Sequence, residues 1–158
     1  MIKNSKTAKK VMVILMLVIV IGLAVQSIIL VGINTCIPAK GMHSAADMAE
    51  IAEMRFFFLN LKYKINALSL DIFYIGSLFV ALCLIKYKFT FSFREILFAF
   101  LALLVGAAIV TVPFAMFDKL YAVNYLNELY TDMFNAAIVF VIIFAINFVL
   151  WLRKGRND

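Results

Sequence analysis

The sequence predicts an all-α integral membrane protein, a bundle of four transmembrane helices with both termini cytoplasmic. Three observations predict it. Of 158 residues, 66% are hydrophobic and 15% charged, with a mean hydropathy of +1.04, whereas soluble domains are about half apolar and about a quarter charged. Four apolar runs each reach the roughly 20 residues that a helix needs to cross about 30 Å of hydrocarbon. Basic residues are also distributed unevenly among the segments joining those runs. Runs this long and unbroken exclude the short alternating strands of an outer-membrane barrel. The composition excludes a repeat array, a disordered tail, a disulfide mini-protein and an ordinary cytosolic enzyme. A single membrane domain over 1–158 is expected.

The first span, Val11 to Ile33, carries only Gln26 and Ser27 as polar side chains. Lys3, Lys6, Lys9 and Lys10 precede it, as in a signal peptide. Its apolar run exceeds the roughly 7–15 residues of an h-region, however, and no A-x-A-like site follows, so a retained helix is expected. The second span, Ile65 to Ile85, contains Asn66, Ser69, Asp71 and Ser77. The third, Ile96 to Phe117, has Thr111 and Pro113 near its far end. The fourth, Met133 to Leu152, has Asn135 and Asn147.

Orientation follows from the positive-inside rule. Ten Lys and Arg fall before span 1, between spans 2 and 3 and after span 4. Five fall in the other two loops. Both termini are therefore expected in the cytoplasm, in a bacterial inner membrane. Tyr63, Tyr121, Tyr125 and Tyr130 lie near the outer boundary, and Tyr87 and Trp151 near the inner, as aromatic belts do.

The external loops are 34–64 and 118–132. In the first, Pro38 and Gly41 punctuate a turn. Ser44 to Asp47 then resembles a helix-opening cap. Met48, Ile51, Ala52, Arg55, Phe56 and Leu59 recur at helical spacing, predicting an interfacial helix on the outer membrane surface. In the second, Leu120, Val123, Leu126, Leu129 and Tyr130 approximate another helical stripe. Asp118 and Asp132 are placed at the outer boundary.

An ionisable group inside a span is costly and therefore a functional candidate. Asp71 is the acid well inside a span by this division. Measured from the span centres at 1.5 Å per residue, Asp71, Gln26 and Thr111 fall in one layer about 6 Å outward. These three form the candidate polar site, with Pro113 just above it freeing the Ile109 carbonyl. Asn147 lies on the opposite side of the midplane, where a membrane Asn commonly joins helices. Small residues mark packing faces. Ala102-x-x-x-Gly106 anchors a stripe with Ala99 and Pro113 on span 3. Ser69, Gly76 and Cys83 repeat every seven residues on span 2.

Other chemistry is missing from the sequence. Cys36 and Cys83 are expected on opposite sides of the membrane and do not form C-x-x-C. A single histidine, His43, supplies neither a zinc site nor paired haem ligands. Phosphate loops, G-x-S-x-G and H-E-x-x-H motifs do not occur. The expectation is a non-enzyme with no catalytic residues, cofactor or metal, binding no nucleic acid. Its partners would be the lipid bilayer and a membrane protein or further copies of itself. Such a protein would act through helix or loop contacts, for example as an immunity protein against a pore-forming toxin or an accessory subunit of a membrane complex. The alternative is a channel or carrier subunit with an outer polar site around Asp71.

Overall fold

The computed structural model describes residues 5–35, 45–88, 90–117 and 122–154. It is all-helical, with no strand among the described residues, and all four helices are long and apolar enough to cross a membrane. They are α1 (Ser5–Thr35), α2 (Ala45–Tyr87), α3 (Phe93–Phe117) and α4 (Ala122–Lys154). The predicted turn at Pro38 and Gly41, its cap at Ser44, Cys36, His43, Asp118 and Tyr121 lie outside the described residues.

Local chemistry sets the helix ends. At the end of α1, the Thr35 hydroxyl donates back to the Gly32 carbonyl at 2.9 Å, satisfying one acceptor of the last turn. Lys88 has φ of 51°, a left-handed conformation that stops α2 after Tyr87. Ser92 and Glu95 then start α3 with a capping box. The Ser92 N–H donates to Glu95 Oε2 at 3.0 Å, and the Glu95 N–H donates to Ser92 Oγ at 3.3 Å. Pro113 leaves α3 helical through Phe117.

Two helices are longer than the sequence indicates. α2 runs unbroken through 43 residues, about 64 Å at 1.5 Å per residue, roughly twice the hydrocarbon thickness. The helical stripe expected in the first external loop is therefore the first part of α2, continuous with the second span. α4 likewise begins at Ala122, so the loop expected over 118–132 is largely helix. Lys62 and Glu128, within the segments expected as loops, are paired with each other and largely buried, so neither has to leave the bundle.

Close approaches fix the registers. α1 and α2 are antiparallel, with Leu15 against Gly76, Gly22 against Ser69 and Gly32 against Phe58. α1 and α3 run parallel: Lys9 bonds to Glu95, 86 residues on, and Val20 faces Gly106 at the same separation. Phe100 with Phe140 and Phe114 with Tyr125 set α4 antiparallel to α3, and Lys62 is level with Glu128 and Asn34 with Tyr125. All four helices are thus aligned, and the start of α1 at Ser5 and the end of α4 at Lys154 lie at the same end of the bundle. α3 and α4 join through aromatic pairs, Phe100 edge-on to Phe140 at 5.4 Å and Phe114 stacked on Tyr125 at 6.1 Å.

The apolar interior has two parts. The larger includes Ile19, Leu23, Phe73, Leu103, Ala107 and Ala136. The smaller, at the end away from the termini, contains Ile29, Leu30, Ile33, Ala115 and Tyr125. Between them, each helix places polar side chains inward.

Candidate functional site: a buried polar layer

The interruption falls at corresponding heights on all four helices. On α1, Gln26 lies between Leu23 of one cluster and Ile29 of the other. On α3, Thr111 lies between Ala107 and Ala115, and on α4 Asp132 lies between Tyr125 and Ala136. The registers agree. Carried along at 1.5 Å per residue, they bring Asn66, Thr111 and Asp132 each to within about one residue of the height of Gln26. Gln26, Thr111 and Asp132 are fully buried.

Their hydrogen bonding is incomplete. Gln26 Oε1 and Nε2, Asn66 Oδ1, Thr111 Oγ1 and both Asp132 carboxylate oxygens are buried without a hydrogen-bond partner. Gln26 and Asp132 are nevertheless near enough to influence each other electrostatically. Buried polar atoms are nearly always paired, because each orphan costs about 1–3 kcal/mol. A cluster of orphans at one height is therefore a functional candidate rather than ordinary packing.

One turn toward the end of the bundle away from Ser5 and Lys154, the Lys62 ammonium donates to Glu128 Oε1. The two side chains keep only 8% and 17% of their exposure. This pair is internally neutral and lies near Asp132, whose carboxyl group makes no ion pair among the described residues.

Of the residues proposed from the sequence, Gln26 and Thr111 are both buried at the height of the layer, and Asp71 is not among them. It is exposed on α2, and the Gly22–Ser69 register sets it about six residues, or 9 Å, from the height of Gln26. Depth counted from span centres failed because α2 extends far beyond its apolar run, so the centres of spans 1 and 2 are not level. Asp132 occupies the position expected for Asp71. Its sequence signal was a helical stripe running from Val123 through Leu129 into the fourth span, a sign that Asp132 sits on a helix.

The packing residues fall into distinct roles. Gly76 admits Leu15. Gly106 is half-buried against Val20, but Ala102 is exposed. The packed face of α3 is Ile96, Leu103, Ala107, Thr111 and Ala115 instead. The aromatic pairs Phe100–Phe140 and Phe114–Tyr125 join α3 to α4. Asn147 ties the α2–α3 turn to α4: the Phe91 N–H donates to its Oδ1 at 2.7 Å, and its Nδ2 donates to the Phe91 carbonyl at 2.8 Å.

Searches of protein-family models, curated proteins and solved structures return no match to this chain. The functional reading therefore depends on its own residues. Among the described residues, no group of three or more His, Cys, Asp or Glu is arranged to hold a metal ion.

Proposed function

We propose that this is a multi-pass protein of a bacterial inner membrane, with cytoplasmic termini, that acts without catalysis by docking a membrane protein partner. The observation carrying this reading is the outer end of α2. By the α1–α2 and α2–α4 registers, Thr35 of α1 and Ala122 of α4 are both level with Phe56. Residues 45–55 thus extend beyond the described ends of the other helices by about 16 Å. Met48, Met54, Phe56 and Phe57 are exposed on or next to this projection. Methionine and phenylalanine suit adaptable apolar recognition. Asp47, Glu50 and Glu53 keep the same segment hydrated. Either an immunity protein that engages toxin helices or an accessory subunit of a membrane complex would use such a projection.

Photo-crosslinking tests this. A crosslinker replacing Phe57 should give one discrete protein adduct in cells, whereas the same group replacing exposed Ile75, on the side of the bundle, should give lipid adducts. Lipid adducts at both positions would reject docking through α2.

A second reading, a channel or carrier subunit, is favoured by the buried layer, with its centre moved from Asp71 to Asp132.

A further inference from the structure

We propose that the layer formed by Gln26, Asn66, Thr111 and Asp132 binds one sodium ion. Four of these features are independent of the docking reading. The first is donor chemistry. Five buried oxygens without partners, one amide oxygen each from Gln26 and Asn66, one hydroxyl and two carboxylate oxygens, come from four different helices to one height. Hard cations take all-oxygen shells of carboxylates, amide carbonyls and hydroxyls. The second is proximity. Gln26 and Asp132 lie close enough to interact, while Thr111 Oγ1 and Asn66 Oδ1 at the same height have no hydrogen-bond partner, so oxygens remain for an ion to satisfy.

The third is charge balance. Lys62 is committed to Glu128, so the buried Asp132 carboxylate, when ionised, has no ion-pair partner of its own among the described residues. One monovalent cation restores neutrality, which a buried carboxylate requires. A divalent ion would leave a net positive charge among apolar side chains. The fourth is position. The layer lies between two apolar clusters, so an ion there bonds all four helices at once and couples binding to bundle stability. Water could bridge the same oxygens, but it would leave the carboxylate charge in place.

The test uses the full chain in detergent. Thermal unfolding is followed while NaCl replaces choline chloride at constant ionic strength and pH, with KCl and CaCl2 as parallel series, and binding of radioactive sodium is counted. The wild type should gain several degrees in Tm with sodium and bind one ion per chain. Asp132→Asn, which keeps the shape but removes the charge, should lose both effects. Thr111→Val, which removes one oxygen, should weaken binding at least tenfold while retaining the elution profile of a folded bundle. Asp71→Asn should bind as wild type. The proposal is overturned if Tm does not depend on sodium, if potassium or calcium stabilises equally, or if Asp132→Asn retains sodium binding. A change in pH dependence alone in Asp132→Asn would identify a proton site and likewise reject it.

Discussion

Two ion pairs of the same chemistry differ in burial, and that difference should decide their energetic worth. Lys9 donates to Glu95 at 2.5 Å with side chains 45% and 44% exposed. The Lys62–Glu128 side chains are 8% and 17% exposed. An exposed pair is screened by water and spends side-chain entropy, so its removal costs about 0–1 kcal/mol. Removing one member of a buried pair leaves a charge without compensation and costs about 3–5 kcal/mol. The matched perturbations are Glu95→Gln and Glu128→Gln. The first also preserves the capping hydrogen bond from Ser92. For a chain of this length about 1 kcal/mol corresponds to roughly 2–4 °C, so Glu128→Gln should lower Tm by about 6–20 °C. Glu95→Gln should lower it by less than about 4 °C. The double variant Lys62→Met/Glu128→Leu removes both charges and should recover most of the loss, because burying an ion pair is itself expensive. Thermal unfolding in one detergent, read by near-ultraviolet circular dichroism, measures all three. Equal losses for Glu95→Gln and Glu128→Gln would refute the assignment of worth by burial, as would a double variant no more stable than Glu128→Gln.

Four further outcomes are expected. Asn147→Leu should cost about 2–4 kcal/mol, since it orphans the buried Phe91 N–H and carbonyl, and hydrogen exchange at 90–92 should accelerate. Gly22→Ala should destabilise by about 1–3 kcal/mol because a Cβ there would lie 2.8 Å from Ser69 Cβ. Gly106→Ala meets only Val20 Cγ2 at 3.4 Å and should be near neutral in the same melts. Reporter fusions after Arg156 and at Lys88 should read cytoplasmic and those at Gly41 and Asn124 external; a cytoplasmic signal at Gly41 would overturn the orientation.

Composition and apolar run length by themselves determine that this chain forms four long apolar helices. Burying hydrocarbon is a property of each run taken alone, and it does not depend on which neighbour covers it. The same local logic identified Gln26 and Thr111 as inward polar residues and anticipated the helical stripes of both external loops. What a charge does cannot be decided locally. Lys62 and Glu128 fall in the segments read as external loops, yet the fold sets them against each other, and Asp71 looked buried until α2 turned it outward. Ala102 carried a packing pattern, but α3 packs through Leu103 and Ala107 instead. Asn147 was legible as helix glue, while its bond to the Phe91 backbone depends on where the α2–α3 turn returns. The tertiary structure alone selected Asp132, because a polar group's surroundings depend on helix register, and register is set by contacts such as Gly22 with Ser69. Those contacts lie 47 residues apart in the chain, beyond the reach of any local pattern.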